Sequence, residues 1–191
     1  MSEGRKRIRL NEKGLPVSRE DAAAEEAADV EGGIDCACPR LDADDWDQVE
    51  NDWTDIAFAR ATTNAVLGVP IGYDGVRGEL REIAARAGGE VPDDPMLLVG
   101  EGKFRRPILL EVDDPEEGAK DIYRPGGIAY TRLLEAPWGQ LPKLTKTTMA
   151  EAKQKYGRPP DNTWVWYLTC RECSRARNFE TLIVAHYKDS P

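Results

Sequence analysis

The four cysteines are the residues of this chain whose types and spacing point most directly to chemistry. Cys36 and Cys38 form a C-x-C pair, and Cys170 and Cys173 form a C-x-x-C pair near the other end of the sequence. Two residues between thiolates let both sulfurs reach one tetrahedral ion, so the second pair is typical of a zinc knuckle. Together the four predict one closed, structural zinc site, with four reduced thiols or one disulfide as the alternatives. Since four thiolates leave no open coordination position, we do not expect catalysis by the metal.

A second set of residues could line a site for an organic molecule. Aromatic walls suit planar ligands, and a carboxylate held out of water suits a cation. The candidate ligand-binding residues are Tyr73, Glu111, Tyr130, Glu135, Trp138, Trp164 and Trp166. If the site performs chemistry, Glu111 and Glu135 are the candidate catalytic residues, because a carboxylate with a raised pKa can activate a water. Glu111 is expected to face the pocket, whereas for Glu135 a solvated strand end is the alternative.

The only histidine of the chain, His186, is expected on the final strand. A single histidine at a strand end is usually a surface residue or a core residue with satisfied hydrogen bonds. Pairing with Glu111 across the two halves of the domain is the alternative interpretation.

Two copies of one pattern must position these residues. Pro92-Asp93-Asp94 precedes the apolar run 96–99, and Pro160-Asp161-Asn162 precedes the run 164–167, 68 residues later. Each copy follows the order strand, helix, strand, strand, at about residues 56–113 and 126–188. This order predicts an α+β fold in which the two repeats form a mainly antiparallel sheet. Both helices are expected on one face of the sheet, and a ligand cleft on the other face.

The individual elements follow from periodicity and turn residues. The first copy predicts a strand over 58–66, a helix over 74–87 with Asp74 as N-cap, and strands over 96–100 and 107–112. The second copy predicts a strand over 127–135, a helix over 140–156, and strands over 163–169 and 179–187. Trp46 and Trp53 are spaced by seven, so both indoles are expected on one helical face that anchors the segment to the core.

Composition limits the class of protein. The 191 residues carry a formal charge of −9, from 26 Lys and Arg against 35 Asp and Glu. This balance argues against direct nucleic-acid binding and against an anionic membrane as partner. Residues 1–33 predict a flexible acidic tail, and 34–191 the folded domain. The basic Arg5-Lys6-Arg7 is followed by no apolar core of a secretory signal, so we expect a cytoplasmic protein.

Two groups of motifs resemble a known family. Pro125-Gly126-Gly127-Ile128-Ala129-Tyr130, followed by Ala136-Pro137-Trp138, resembles the strand and Gly-Pro-Tyr-type turn of the gyrase-inhibitor-like (GyrI-like) small-molecule-binding domains. Alanine and tryptophan here replace the usual glycine and tyrosine. Cys36-Ala37-Cys38-Pro39 and Thr169-Cys170-Arg171-Glu172-Cys173 resemble a cysteine-containing branch of that family often labelled "hydrolase". The inserted Ala37 departs from the adjacent cysteine pair of that branch.

The resemblance implies an aromatic cleft between the repeats that accepts small planar or cationic organic molecules. The leading hypothesis is therefore a cytoplasmic GyrI-like domain that senses or sequesters such ligands. A hydrolase that acts on reactive xenobiotics in the same cleft is the first alternative, because some relatives are similar to enzymes of that kind. The second alternative is a zinc-stapled protein-interaction module. Neither the ligand nor the oligomeric state follows from the sequence.

Overall fold

Two copies of the order strand, helix, strand, strand make up most of this computed structural model, which describes residues 36–66, 69–137 and 139–188. The first copy contains β2 (Ala57–Val66), α2 (Tyr73–Arg86), β4 (Leu97–Gly100) and β5 (Arg105–Val112). The second copy contains β7 (Ile128–Glu135), α3 (Leu141–Tyr156), β8 (Asn162–Tyr167) and β9 (Glu180–Tyr187). The short elements are α1 (Ala43–Trp46), β1 (Val49–Asp52), β3 (Val69–Pro70) and β6 (Ile122–Tyr123). The predicted internal duplication is thus confirmed at the level of element order.

The strands pair into one antiparallel sheet in which the three main strands of each copy lie side by side. Its order is β1-β7-β9-β8-β4-β5-β2-β3, and β6 pairs with β2. The second copy supplies β7-β9-β8 and the first supplies β4-β5-β2, so β8 and β4 meet at the seam. There Val99 pairs with Val165 and Gly100 pairs with Trp164. The sheet curls into a half-barrel, which confirms the predicted α+β class.

Alternation along β2 determines which face of the sheet the first helix covers. Ala57, Ala59 and Ala61 are buried on one face, whereas Arg60 and Thr62 on the other face are exposed. The small alanine side chains leave room for α2, which packs on β2 and β5. The buried stripe of this helix consists of Val76, Leu80, Ile83 and Ala84.

The start of α2 differs from the prediction. The helix begins at Tyr73, and its N-cap residue is Gly72 with a φ of 73°. Glycine adopts this left-handed conformation without steric cost, so the chain turns into the helix before Asp74 is reached. The prediction that Asp74 is the N-cap is therefore wrong.

The second helix covers the same face of the sheet. Ala152 and Thr148 of α3 are buried, and Ala152 packs with Tyr130, Ala185 and Tyr187. Residues paired across antiparallel strands share a face, and the registers place Tyr130 and Ala185 on the face that also carries Ala59 and Val165. Both helices therefore lie on one face, as predicted. Among the described residues, none of the helices has the length and apolar character needed to cross a bilayer.

The opposite face is partly covered by the segment before the first repeat. Trp53 is 1% exposed, and its ring centroid lies 5.3 Å from that of His186 and 5.5 Å from that of Phe58. Trp46 meets the edge of Trp166 at 6.2 Å. Rings of the protein itself therefore fill this part of the predicted cleft.

Trp46 and Trp53 do anchor this segment to the core, but they do not share a helix. The helix α1 ends at Trp46, because Asp47 is already extended and Gln48 has a φ of 59°. Strand β1 then pairs with β7 before Trp53 is reached. The helical reading of their spacing was therefore wrong. The predicted tail at 1–33 lies outside the described residues and stays a prediction.

His186 lies in this covered part of the core with both ring nitrogens engaged. It is fully buried, its Nε2 lies 2.8 Å from the carbonyl oxygen of Gly126, and its Nδ1 lies 3.2 Å from the amide nitrogen of Asn162. Because a carbonyl only accepts, Nε2 carries the proton and Nδ1 accepts from the amide. The neutral ring is therefore the form that fits. These contacts confirm the satisfied-core interpretation, and Glu111 is not among them.

We expect acid to destabilise the fold through His186. Burial lowers the pKa of His186 below its usual 6.5, more than the hydrogen bond to Gly126 raises it. The unfolded chain then binds the proton more readily than the folded protein. The contribution of His186 to the free energy of unfolding is therefore fully present above pH 6.5 and decreases as the pH falls below that value. The loss approaches at most about 1.4 kcal/mol per pH unit for one proton.

Urea unfolding of the wild type and of His186→Gln between pH 5 and 7.5 measures this effect. The wild type should lose stability more steeply than the variant below pH 6.5. Equal slopes for the two proteins would rule out the proposed contribution of His186.

Candidate metal centre and adjoining groove

The four cysteines converge on one point. Their Sγ atoms all lie within 4.8 Å of one another, and all four residues are free thiols. The Sγ atoms of Cys170 and Cys173 are 3.8 Å apart. In a tetrahedron with metal–sulfur distances of 2.3 Å, two sulfurs lie about 3.8 Å apart. The C-x-x-C pair thus already has the spacing that a tetrahedral thiolate site requires.

A loop of consecutive turns between β8 and β9 positions Cys170 and Cys173. The N–H of Ser174 donates to the carbonyl of Cys170, and the N–H of Arg177 donates to the carbonyl of Cys173, each at 3.0 Å. These successive turns bring the two thiols to the same side of the connection. Asn178 and Phe179 then adopt positive φ values of 46° and 57°, which return the chain to β9. The corresponding connection in the first copy, between Gly100 and Arg105, is much shorter.

The same turns favour the thiolate form of Cys170. Backbone N–H groups of Cys173 and then Glu172 donate to its sulfur and lower the pKa of Cys170 to about 7, against a smaller opposing effect of burial. The thiols of Cys38 and Cys173 contribute to the same shift. A thiolate near neutral pH is the form that binds metal ions.

Arg177 connects the cysteine cluster to the rest of the fold. Its guanidinium donates to the carbonyl of Pro39 at 2.8 Å and to the carbonyl of Leu168 at 3.1 Å, and it forms an ion pair with Glu180. Pro39 directly follows Cys38, so this arginine holds both cysteine-bearing segments. Its positive charge also offsets part of the negative charge of four thiolates.

The donor set limits the ion that could bind. Thiolates are soft ligands, and four of them in a tetrahedral arrangement suit Zn²⁺ or iron and not Mg²⁺ or Ca²⁺. Cys36, Cys38 and Cys170 are partly exposed while Cys173 is buried. The predicted metal ligands thus form a cluster that could hold one thiophilic ion.

The predicted ligand-binding residues do not all line one wall. Trp164 and Trp166 are 4% and 3% exposed and lie on the sheet face opposite the helices. Tyr130 lies on the helix face, where its ring meets that of Tyr156 at 6.2 Å. Glu135 is exposed at the end of β7, as its alternative interpretation stated. Tyr73 is the first residue of α2, with a side chain outside the description, and Trp138 lies outside the described residues.

Glu111 is half-buried and forms hydrogen bonds with the residue that precedes β4. Its Oε2 accepts from the N–H of Met96 at 2.9 Å, and its own N–H donates to the carbonyl of Met96 at 3.0 Å. The register places Glu111 opposite Phe58, on the same sheet face as Trp164. The register places Glu135 on this face as well, but at an exposed strand end, so Glu111 is the half-buried one of the two predicted carboxylates.

A groove on the uncovered part of this face was not predicted from the sequence. It has a volume of about 450 Å³ and is lined by Arg60, Thr62, Asp121, Ile122 and Tyr123. The Arg60 guanidinium lies over the Tyr123 ring, 5.5 Å from its centroid. The Tyr123 ring in turn lies 6.3 Å from Trp164. The sequence signal for an open face here was the pair of polar residues Arg60 and Thr62, which alternate with alanines along β2.

The indole of Trp164 lies between the groove and the seam of the two repeats. A Cβ placed on Gly100 would lie 2.6 Å from Cζ3 of Trp164 and 2.6 Å from Cγ of Pro107. The absent side chain of Gly100 therefore lets the indole extend toward Pro107, which pairs with Thr62. Within the described residues, the buried Nε1–H of Trp164 has no hydrogen-bond acceptor.

Comparison with known proteins assigns the chain to a family. Neither a curated protein nor a solved structure matches it. A family model described as "Bacterial hydrolase" matches residues 28–186, a range that includes all four cysteines, the first repeat and the second repeat up to His186. This agrees with the "hydrolase" label of the branch that the cysteine motifs resemble, while the GyrI-like family itself is not confirmed. The chain belongs to the bacterial hydrolase family.

Proposed function

We propose that the four cysteines bind one structural Zn²⁺ and that the protein is a cytoplasmic domain that binds small planar organic molecules on its open sheet face. The convergence of Cys36, Cys38, Cys170 and Cys173 within 4.8 Å carries the metal assignment. The aromatic groove beside Arg60 supports the binding assignment. Sensing or sequestration of the ligand would be the biological role.

Zinc is the ion that best fits the site's chemistry. Four thiolates fill the tetrahedral shell, so the ion has no position for a substrate or a water. Its role is then to join residues 36–38 to the connection between β8 and β9. That junction holds the covering segment, with Trp46 and Trp53, on the sheet.

The groove supports a small-molecule ligand by its size and its lining. Its volume of about 450 Å³ lies in the range of ligand-binding pockets. Tyr123 provides aromatic surface, with the buried Trp164 indole next to it, while Arg60, Thr62 and Asp121 provide polar groups. The central part of the face, by contrast, is filled by the rings of Trp53 and Phe58.

A hydrolase that acts on reactive xenobiotics is the second candidate, favoured by the family description. Glu111 would be the catalytic residue, because it is the half-buried carboxylate on this face. To act as a general base it would have to exchange its bond to the Met96 N–H for one to a water. Glu135 is less suited, because its exposed position leaves it fully hydrated.

Metal analysis tests the zinc assignment. Protein purified without chelator should contain about one zinc ion per chain, as a single closed tetrahedral site requires. A double variant Cys170→Ser/Cys173→Ser should contain none, whereas Ser174→Ala should retain the ion, because the Ser174 hydroxyl donates only to the carbonyl of Arg171 in the same turn. Wild-type protein with no bound metal would overturn the assignment.

Ligand titration separates a binding protein from an enzyme. A binding protein should show saturable quenching of tryptophan fluorescence by naphthalene-based probes, without product formation. An enzyme should consume a p-nitrophenyl ester with turnover, and Glu111→Gln should abolish that turnover while the tryptophan signal of the fold is unchanged. A protein that shows neither effect but captures a partner protein would be the interaction module.

A further inference from the structure

The open sheet face around the groove carries exposed arginines, whereas a cleft that binds cations would be expected to carry carboxylates. The chain as a whole has a formal charge of −9. Yet the exposed edge of this face carries Arg60 on β2 and Arg105 on β5, on the same side of the sheet by register. Asp121 is the one carboxylate in the groove lining. We propose that this groove selects planar organic anions, aromatic carboxylates in particular, and that Arg60 is the residue that recognises the carboxylate.

Arg60 has the properties of an anion-recognition residue. Its side chain is exposed, and among the described residues no carboxylate lies within ion-pair distance of its guanidinium. The guanidinium lies over the Tyr123 ring, with Cζ 5.5 Å from the centroid. A cation–π contact of this kind uses the charge of the guanidinium and leaves its N–H groups available for a two-point contact with a carboxylate.

Tyr123 holds Arg60 in place before a ligand arrives. The short strand β6 pairs Tyr123 with Phe58 and Ile122 with Ala59, which brings the tyrosine beside β2. The N–H of Arg60 also donates to the carbonyl of Asp121 at 2.9 Å. The backbone of both partners is therefore fixed by hydrogen bonds, and less side-chain freedom is lost on binding than for a free surface arginine.

The remaining lining fits the planar part of such a ligand. The Tyr123 ring supplies aromatic surface in the groove, and the buried Trp164 indole lies 6.3 Å from it. The exposed Thr62 lies two residues from Arg60 on the same face and offers a hydroxyl. The volume is large enough for a molecule of one or two aromatic rings carrying a carboxylate.

A cation of the same shape is disfavoured at this position. It would face the fixed positive charge of Arg60 and could pair only with Asp121 in the groove lining. An anion gains a charge-assisted contact with Arg60, and the carboxylate in the groove lining that repels it is Asp121. Charge-assisted hydrogen bonds are the stronger kind, so the arginine contact should dominate.

This inference rests on the proposed small-molecule function. Two probes with the same ring system and opposite charge test anion selectivity separately from small-molecule binding. Titration of the full chain with 2-naphthoate and with 2-naphthylmethylammonium compares opposite charges on the same ring system. We expect 2-naphthoate to bind at least about tenfold more tightly. The Nε–H resonance of Arg60 should shift on its addition, and affinity should fall with added salt.

Variants of the arginine complete the test. Arg60→Gln should weaken 2-naphthoate binding at least about tenfold, and Arg60→Lys by less, because lysine keeps the charge but not the planar fork. Arg81→Gln on the exposed side of α2 is the matched control and should leave the affinity unchanged. Preferential binding of the cationic probe, or an affinity for 2-naphthoate that Arg60→Gln does not alter, overturns the inference but leaves small-molecule binding in place. Binding of neither probe overturns both.

Discussion

Replacing Cys170 by serine is expected to abolish zinc binding and to lower the free energy of unfolding by several kcal/mol. The hydroxyl of serine does not provide the thiolate that the tetrahedral site needs, and the C-x-x-C pair loses one of its two ligands. An ion that binds only the folded state stabilises it by about 4 kcal/mol when its free concentration exceeds the dissociation constant about 1,000-fold. Urea unfolding monitored by tryptophan fluorescence in the presence of zinc measures the loss.

The covering segment should respond most strongly. Residues 36–38 would lose their link through the ion, while the bond from Arg177 to the Pro39 carbonyl would remain. Trp46 would then lose one of the restraints that hold it at the edge of Trp166. Amide hydrogen exchange in residues 37–47 should therefore increase more than in the β7–β9 pair. The sheet itself should persist, because its core of buried aliphatic residues does not depend on the ion.

Chelation of the wild type supplies the internal control. A zinc chelator should lower the stability of the wild type to that of Cys170→Ser and should leave the stability of the variant unchanged. Ser174→Ala, one residue beyond the C-x-x-C pair, should respond to the chelator like the wild type. If Cys170→Ser in the presence of zinc unfolds at the same urea concentration as the wild type, the ion does not stabilise the fold.

The duplicated pattern of the sequence was sufficient to predict most of the fold. Turn residues and apolar runs determine local structure, and the same order of them appears twice. The predicted bounds of β2, β4, β5, β7, β8 and β9 therefore lie within two residues of those observed. The mirrored pairing follows, because each copy buries its apolar side chains only when the sheet continues through β4 and β8. The metal ligands were predictable for a similar reason. Ligand type and the short spacing within each pair are properties of the sequence itself.

The groove could not be predicted, because it depends on pairings between distant residues. Tyr123 belongs to a two-residue strand within a polar connection, and only its pairing with Phe58 brings it beside Arg60. The filling of the central face has a similar origin. Trp53 reaches His186 because β1 adds to the edge of β7, an arrangement that the seven-residue spacing from Trp46 did not reveal.

The sequence predicted that glycines precede β7, but it did not explain why glycine is required there. They were interpreted as the entry to a strand, and the structure shows why a side chain is excluded at Gly127. Its φ is +66°, and an added Cβ would lie 2.0 Å from the carbonyl oxygen of Tyr187 and 2.4 Å from that of Lys188. Both obstacles are backbone atoms of the neighbouring strand end, so no side-chain rotation can remove the clash.

Replacing Gly127 by alanine should therefore destabilise the protein by roughly 4 kcal/mol or more, which is exceptional for one methyl group. Relief of the clash requires the chain to move away from β9. That movement would strain the bond from the Trp53 N–H to the Gly127 carbonyl and the bond from His186 to the Gly126 carbonyl, both 2.8 Å long. The urea midpoint of Gly127→Ala relative to the wild type measures the effect.

Gly118→Ala separates steric exclusion from the cost of a positive φ. Gly118 has a φ of +73°, and no atom lies within 4 Å of an added Cβ. Its replacement should cost only the strain of a left-handed alanine, roughly 1–2 kcal/mol. If the two variants lose equal stability, the close approach of β9 to Gly127 contributes nothing. If Gly127→Ala loses far more, the backbone at the end of β9 excludes a side chain at Gly127. The turn that accepts hydrogen bonds from Trp53 and His186 is then fixed against this end of β9.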